Sequence, residues 1–415
     1  MDKDTTKSTL AKYFSPLNVD PILKEIDRLK VNRYTKKLDA RTFINLFVFA
    51  QVHQIGSLTD ISLRIAADGN LQVILGLESI STSQLSRRLR DLPPEMMDFV
   101  LNTCVAEIRR QCGTKATNQR LGQIHLVDSS TISMCLTQYR WAEYRRTKAG
   151  VKLHLRLVFS DQQVYPDKLT LTHARMADKK QMDELVVVEL NALNVFDRGY
   201  VDYRKFDEYS QQGIRFVTRL KENAIIHEVV EERAVNPESP VRRDAFVRLG
   251  SFPNYVMEHQ LRLVETVDTE GNRVVILTND LTLNAQEISD LYRKRWQIEL
   301  FFKWIKQHLV IKHLYGKSEM AVYNQLRLGL VTYCLLVLLQ LNVEHRGRLL
   351  EIFKYIRLHW ADEFALFVRV VHAKPERTSI GRRRWSTERI FEETLHQFQS
   401  GETEHLDTLT YDPLI

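Results

Sequence analysis

Apolar residues recur at helical spacing in the first part of the chain, most clearly over residues 43–52 and 96–108. Spacings of three and four residues place such side chains on one face of a helix. Prolines, which cannot continue a helix, separate these stretches at Pro16, Pro21, Pro93 and Pro94. The pattern predicts an all-helical domain over residues 1–118.

The pattern changes after residue 122 to short apolar runs with strand-like alternation. Such runs, bounded by polar and turn-forming residues, are typical of β-strands. We predict strands over 124–127, 151–159, 164–176, 193–196 and 213–223, and helices over 178–190 and 203–212. Three strands followed by alternating helices and strands indicate an α/β domain.

Strand-like runs without intervening helices follow in residues 224–282. The runs 259–267 and 273–279 flank a hairpin signal that includes Gly271, a residue type that favours tight turns. We therefore predict a β-rich insertion over 224–282, within a core that spans 119–345.

The segment that follows the insertion predicts one amphipathic helix over 292–309. Asn284 and Glu287 have the spacing of a capping box that would start it. At about 100° per residue, four polar positions fall within an arc of about 60°: Tyr292, Arg295, Glu299 and Lys306. Apolar positions form the adjoining face: Leu291, Ile298, Phe302, Ile305 and Leu309. The alternative is a surface helix with an ion pair between Glu299 and Lys303.

Two aspartates have similar places in the α/β region. Asp128 directly follows the apolar run 124–127, and Asp197 directly follows 193–196. Aspartate after a strand is often only a turn residue or a helix cap. With Glu299, however, the two would form a set of three converging carboxylates. Hard oxygen ligands of this kind suit Mg²⁺ or Mn²⁺, and two such ions about 4 Å apart can activate a water or a 3′-hydroxyl for phosphodiester chemistry.

The charge balance favours a polyanionic partner. Lys and Arg number 59 against 52 Asp and Glu, and the sequence pI is about 9.1, so a nucleic acid is a plausible partner class. Segments 57–66 and 81–92 have the spacing of a helix-turn-helix, with Arg87 and Arg88 on the second helix. Plain helical packing with a solvated basic face explains the same pattern.

Three other basic segments leave the same choice open. They are the strip 28–37 around Tyr34, the loop 140–152 with Trp141 and Tyr144, and the segment 381–385. Each suits phosphate contacts or a solvated surface. No other motif identifies a role for residues 346–415.

Several function classes find no support in the sequence. The four cysteines have no zinc-ligand or disulfide spacing, which suits a reducing cytoplasm, and the N-terminus has no apolar signal segment. The apolar run 328–341 is too short and too polar to span a bilayer, so it predicts a buried core helix. No P-loop, nucleophile or HExxH signature competes with the carboxylate set.

The chain resembles a DDE-type insertion-sequence transposase of the branch with a Tyr-x2-Arg-x3-Glu-x6-Lys (YREK) signature. Tyr292, Arg295, Glu299 and Lys306 keep every spacing of that signature. The sequences LVDSST around Asp128 and VFDRGY resemble the first and second catalytic regions of the family. The resemblance extends from residue 10 to about residue 345.

The resemblance implies an RNase H-like core with a β-rich insertion, preceded by an all-helical DNA-binding domain. It implies cut-and-paste transposition, with metal-dependent cleavage at the ends of the element and strand transfer into target DNA. Asp128, Asp197 and Glu299 would be the catalytic metal ligands, for Mg²⁺ or Mn²⁺. By the same match Tyr292, Arg295 and Lys306 would contact the DNA. The helix-turn-helix spacing, and not the resemblance, adds Arg87 and Arg88 as DNA-contact candidates.

The expected partners are double-stranded DNA, as inverted-repeat transposon ends and target DNA, and a second copy in a homodimeric synaptic complex. The expected location is the bacterial cytoplasm, at the nucleoid when bound to DNA. Members of this branch often hold a flipped base with an aromatic residue. Phe252 and Tyr255 are the candidates here, because no Trp lies in the insertion. The alternatives are an RNase H-like nuclease and a domesticated DNA-binding protein that does not transpose.

Overall fold

The computed structural model describes residues 7–112, 121–159, 164–267 and 271–373, together with residue 396. Helices make up the first described part: α1 (Thr9–Tyr13), α2 (Asp20–Arg28), α3 (Ala40–Val52), α4 (Leu58–Ala67), α5 (Gly69–Leu75), α6 (Thr82–Asp91) and α7 (Pro94–Cys112). Side chains cap several of them. Ser81, for example, forms a capping box with Gln84 at the start of α6.

A sheet of 11 strands occupies the middle of the chain. Its first strands are β1 (Gln123–Met134), β2 (Glu143–Arg145), β3 (Lys148–Phe159) and β4 (Val164–His173). Next come α8 (Met182–Leu185), β5 (Ala192–Phe196), α9 (Tyr203–Gln212) and β6 (Arg215–Arg219). The remaining strands are β7 (Ile226–Arg233), β8 (Arg243–Ser251), β9 (Tyr255–Val256), β10 (Leu261–Val267) and β11 (Arg273–Thr278). Five helices complete the described chain: α10 (Ala285–Lys294), α11 (Trp296–His308), α12 (Glu319–Asn342), α13 (Leu349–His359) and α14 (Phe364–Val371).

The sheet is mixed. Its strand order is β2-β3-β1-β5-β6-β11-β10-β8-β7, with β4 also paired to β3 and β9 to β8. Strand β1 is antiparallel to β3 and parallel to β5, and β5 is parallel to β6. This order is consistent with the expected RNase H-like core. The strands of the predicted insertion join the same sheet, because β11 pairs antiparallel with β6.

Helix α12 lies at the centre of the protein, between the N-terminal helices and the sheet. Tyr13 donates a hydrogen bond to the Thr332 carbonyl at 3.0 Å, and Asn324 donates to the Leu89 carbonyl at 2.9 Å. Tyr333 donates to the carbonyl of Val164 on β4 at 3.0 Å. The N-terminal helices and the sheet therefore share one hydrophobic core.

By length and composition α12 resembles a membrane span, and it is the one such helix in the described residues. Its apolar window is 89% buried inside the protein. Burial on all sides is typical of a core helix, as the run 328–341 predicted.

Three local predictions were wrong. The predicted helix over 178–190 contains only a 3₁₀ turn and the one-turn helix α8, because the β-branched run that follows disfavours helix. The helix-turn-helix predicted over 57–66 and 81–92 contains a further helix, α5, between its two segments. Strand β1 does not end before Asp128, because β3 pairs with it as far as Met134.

Candidate active site

Two neighbouring parallel strands bring Asp128 and Asp197 together. The last pair between β1 and β5 joins Val127 and Phe196, and each aspartate is the next residue of its chain. Strand β5 ends at Phe196 while β1 continues, so Asp128 lies beside an open place in the sheet. The ends of parallel strands at such a position are where α/β proteins commonly build their sites.

The third carboxylate comes from α11, although the sequence predicted a single helix over 292–309. The structure divides that helix at Arg295, which separates α10 from α11. The Arg295 amide donates to the Tyr292 carbonyl, and the Ile298 amide donates to the Arg295 carbonyl, both at 3.1 Å. These i to i−3 bonds form a tighter turn than an α-helix.

The predicted apolar face is buried as expected, which holds both helices against the core. Its residues are Leu291, Ile298, Phe302, Ile305 and Leu309, each at most 6% exposed. The predicted capping box is also present, because Asn284 and Glu287 exchange hydrogen bonds at 2.8 Å. The local helix signals therefore fix the direction from which Glu299 enters the site.

Arg295 connects the carboxylates. Its guanidinium donates to Glu299 Oε1 at 2.6 Å and to Asp128 Oδ2 at 3.3 Å. Tyr292 donates to Asp197 Oδ1 at 3.5 Å, and Arg295 lies 5.6 Å from the centre of the Tyr292 ring. The structure thus joins all five residues in one network. We call Asp128, Asp197, Glu299 and Arg295 the Asp128 cluster.

Burial dominates the electrostatics of this cluster. It raises the pKa of Asp128 to about 7, although Arg295 and the Ser129 amide act in the opposite direction. Burial also raises the pKa of Glu299, again against the effect of Arg295. Burial raises the pKa of Tyr292 to about 12, so the phenol stays protonated and can donate. The effect of burial on the pKa of both acids therefore exceeds the opposing effect of Arg295.

Lys306, the last residue of the signature, lies on α11 about two turns after Glu299 and reaches β1. Its Nζ donates to Ser130 Oγ at 2.7 Å, and Ser130 is two residues from Asp128 on the same strand face. The structure therefore brings all four signature residues close to the middle of β1, around Asp128 and Ser130. Whether Tyr292, Arg295 and Lys306 contact DNA stays a prediction.

Sequence reasoning missed a second polar group on the opposite face of β1. Asp178 accepts hydrogen bonds from Ser129 Oγ at 2.6 Å and from Lys152 Nζ at 3.1 Å. Ser129 follows Asp128 directly, so this group fixes the strand that carries the carboxylate. Lys152 was predicted only as part of a basic loop. No local pattern indicated that Asp178 would be its partner, since it lies 26 residues further along the chain.

The donor types of the Asp128 cluster fit a divalent cation. Carboxylate oxygens are hard ligands, and three carboxylates face one guanidinium. Among the residues that the structure describes, no group of three or more His, Cys, Asp and Glu side chains already has metal-site spacing. The Arg295 guanidinium lies between Asp128 and Glu299 and donates to both.

The two arginines of α6 that were predicted to contact DNA differ in their surroundings. Arg87 is exposed on α6, whereas Arg88 donates to the Val31 carbonyl and to Asn32 Oδ1, both at 2.8 Å. Arg88 therefore ties α6 to the segment after α2 and does not face outward as a recognition-helix residue would.

Of the two aromatic candidates in the insertion, only one is available. Tyr255 donates to Asp207 Oδ2 at 2.7 Å, which holds it against α9. Phe252 is 81% exposed. In the basic loop, Trp141 donates to the Lys317 carbonyl at 2.7 Å, while Arg145 is exposed. The basic segment 381–385 lies outside the described residues.

A family model and two sequence relatives identify the class of this chain. The family model described as "Transposase DDE domain" matches residues 119–335. The chain is 30% identical over 299 residues to a Geobacillus stearothermophilus protein named "Probable transposase for insertion sequence element IS5377", covering 71% of this chain and 75% of that protein. It is 33% identical over 219 residues to a Sinorhizobium fredii protein whose name describes a transposase, covering 51% and 60%.

A solved structure, the cryo-EM structure of a piggyBac transposase synaptic complex with hairpin DNA, aligns with 94% of this chain and 90% of its own. The TM-score is 0.45 and the sequence identity is 12%, so no conclusion rests on this likeness. The family match covers more than half of the chain and contains Asp128, Asp197 and Glu299. The chain belongs to the transposase DDE domain family.

Proposed function

We propose that this protein is an insertion-sequence transposase of the YREK-signature branch, which cleaves DNA at the ends of its element and joins those ends to target DNA. The observation that carries the proposal is the Asp128 cluster. Arg295 joins Asp128 of β1 to Glu299 of α11, and Tyr292 donates to Asp197 at the end of β5. A structural ion pair would not need three acids, because like charges at close range are unfavourable.

In this proposal Asp128, Asp197 and Glu299 bind Mg²⁺, or Mn²⁺ in its place. The bound cations would activate the attacking water or 3′-hydroxyl and stabilise the leaving oxygen. The protein's own part is to hold the three carboxylates at fixed positions. Strand pairing fixes Asp128, the end of β5 fixes Asp197, and the buried face of α11 fixes Glu299.

The other signature residues would hold the DNA strand. Lys306 and Tyr292 carry donors at the margin of the cluster, where a phosphate oxygen could replace their present acceptors. Charged and hydroxyl donors of this kind hold the DNA backbone in register. Phe252, exposed near the end of β8, is the candidate for holding an unstacked base.

The larger assignments follow the same proposal. The core would be an RNase H-like domain over 119–345 with the insertion 224–282, and the helices before it would bind DNA through Arg87. The working form would be a homodimer that pairs two inverted-repeat ends before strand transfer. It would act in the bacterial cytoplasm, on the nucleoid. Residues 346–415 have no assigned role.

A plasmid assay tests the proposal. Supercoiled plasmid with the element's inverted repeats is incubated with wild-type protein or Glu299→Gln, with Mg²⁺ or with EDTA. We expect wild type to nick the plasmid only with Mg²⁺ and Glu299→Gln to be inactive, because an amide is a weak ligand for a hard cation. Equal activity of the two proteins would rule out the assigned site.

The assay also separates the alternatives. Nicking without preference for the repeats and without joined products would favour an RNase H-like nuclease. Specific binding to the repeats without any cleavage product would favour a DNA-binding protein derived from a transposase.

A further inference from the structure

Arg295 occupies the position between two carboxylates that belong to different elements. Its guanidinium donates to Asp128 on β1 and to Glu299 on α11. The two acceptors are also the oxygens that a cation would bind at this place. A guanidinium has five N–H donors and no acceptor, so it can replace a metal ion as the partner of two carboxylates.

The fit of Arg295 is incomplete. The side chain is only 14% exposed, and its Nε is buried without a hydrogen-bond partner in the described part of the chain. A buried donor without a partner costs free energy. The charge of the carboxylates therefore holds Arg295 in place, while one of its own donors stays unsatisfied.

Charge also shows why Arg295 and a metal ion compete. With all three carboxylates ionised, the cluster has an excess of two negative charges over the one guanidinium, which one divalent cation would cancel. A cation bound to Asp128 and Glu299 would take the oxygens that Arg295 now uses, and the two positive groups would repel each other at this distance. Both cannot occupy the space between these carboxylates.

The position of Arg295 in the chain allows its side chain to leave. It lies at the junction of α10 and α11, where i to i−3 bonds interrupt the α-helical pattern. Leu291 and Ile298 on either side are 2% and 0% exposed. Because these neighbours anchor both helices, a change of the Arg295 side-chain torsions can move the guanidinium while the backbone stays fixed.

We propose that Arg295 is the resident counter-cation of the Asp128 cluster, which holds Asp128 and Glu299 together without metal and is displaced by a divalent cation toward the DNA. The inference rests on the proposed function, since it takes these carboxylates as metal ligands. Arg295 is then a positioning residue that binds the two carboxylates without metal and a DNA phosphate once the metal ion is bound. The displaced guanidinium suits a phosphate, which it can bind with two parallel hydrogen bonds.

Metal binding measured without DNA tests this competition. Mn²⁺ is titrated into wild type, Arg295→Gln and a control, Arg327→Gln, and free Mn²⁺ is followed by electron paramagnetic resonance. Arg327 pairs with Asp98 at 2.6 Å, between α12 and α7, so the control loses a comparable ion pair away from the cluster. Thermal unfolding without metal is recorded for each protein.

We expect Arg295→Gln to bind Mn²⁺ about tenfold more tightly than wild type, which corresponds to about 1.4 kcal/mol, and to unfold at a lower temperature without metal. Arg327→Gln should keep the wild-type Mn²⁺ affinity. If wild type binds Mn²⁺ and Arg295→Gln binds it equally or more weakly, the inference is wrong and the metal site stands. If none of the proteins binds Mn²⁺, the proposed metal site is wrong as well.

A second variant covers the case in which Arg295→Gln does not fold. Lysine keeps the charge but lacks the planar fork that reaches two carboxylates at once. Arg295→Lys should therefore bind Mn²⁺ more tightly than wild type, by a smaller factor than the glutamine variant. An unchanged or weaker affinity in a folded lysine variant would contradict the displacement of Arg295.

Discussion

Two buried groups of carboxylates and arginines lie on the same sheet and differ in their charge balance. In the Asp128 cluster Arg295 pairs with Asp128 and Glu299, and Tyr292 donates to Asp197. In the second group, which we call the Asp167 cluster, Asp167 on β4 accepts hydrogen bonds from Arg109 at 2.5 Å and from Arg156 at 2.7 Å. The side chain of Asp167 is fully buried, so burial alone does not distinguish the two groups.

The comparison teaches that the number of partners separates a structural ion pair from a candidate site. Asp167 has more positive charge around it than it carries, and Arg156 also donates to the Leu185 carbonyl at 2.9 Å. The Asp128 cluster has an excess of negative charge, and burial raises the pKa of two of its acids. A surplus of buried carboxylates is relieved either by binding protons or by a cation from outside the chain.

The largest expected effect comes from Asp128→Asn, which should lower plasmid nicking by about 10³-fold or more. The amide keeps the shape of the side chain but loses the charge that would bind the proposed metal ion. Folding should be retained, because the change removes one of three repelling charges. Thermal unfolding without metal checks this point. If Asp128→Asn unfolds at a lower temperature and keeps its activity, Asp128 has a structural role and is not part of the active site.

The same substitution in the other group should have the opposite result. Asp167→Asn leaves Arg109 and Arg156 without their carboxylate, and breaking a buried ion pair costs about 3 kcal/mol. Urea unfolding measures this loss. The control, Asp98→Asn, removes the partner of Arg327, and since Asp98 is 45% exposed it should cost less than about 1 kcal/mol. Equal costs in the two variants would show that Asp167 has no special structural role.

A pH effect of intermediate size should distinguish the Asp167 cluster. His125 is 2% exposed and lies 3.8 Å from Asp167. Burial lowers its pKa to about 4, helped by Arg156 and Arg109 and opposed by Asp167. The unfolded chain has a His pKa near 6.5. As the pH falls from about 6.5 to about 4, the unfolded state therefore binds a proton that the folded state does not, and stability is lost.

Replacing His125 by Leu should remove this dependence. Between pH 7.5 and pH 5.0, protonation of His125 in the unfolded state should lower the unfolding free energy of wild type by about 2 kcal/mol. The variant His125→Leu lacks this contribution, so its total loss over the same range should be smaller by about 2 kcal/mol. Urea unfolding at the two pH values measures the difference. Parallel losses in both proteins would mean that His125 is protonated in the folded state.

The smallest effect concerns two neighbouring arginines of α6. Arg87 is exposed, whereas Arg88 is hydrogen-bonded within the protein. Arg87→Ala should reduce the slope of log affinity against log salt by about 1 for DNA binding, as expected for one phosphate contact. Arg88→Ala should mainly lower the unfolding temperature, because Arg88 donates to Val31 and Asn32. The reverse pattern would place the DNA contact at Arg88.

Local sequence patterns predicted much of this fold. Alternating apolar runs located the strands around Asp128 and Asp197, and the capping box at Asn284 located the start of α10. The buried face of 292–309 was also predicted correctly. These features depend on residues close together in the chain, where hydrophobic spacing and backbone capping act directly.

Features that depend on distant partners were not predicted. Arg295 and Asp128 lie 167 residues apart, so the spacing of the YREK signature could not show that this arginine faces the carboxylates. The continuation of β1 beyond Asp128 depends on pairing with β3. The helix break at Arg295 has no proline or glycine to announce it. In each case the tertiary contact overrides the local pattern.

The most direct test is the effect of Mg²⁺ on thermal unfolding of wild type, Glu299→Gln and Asp167→Asn. A cation that binds only the folded state stabilises it, by about 2.7 kcal/mol at a hundredfold excess over its dissociation constant. We predict the same rise in unfolding temperature for wild type and Asp167→Asn and no rise for Glu299→Gln. An equal rise in all three proteins, or a rise lost in Asp167→Asn alone, would contradict the assignment of the metal site to the Asp128 cluster.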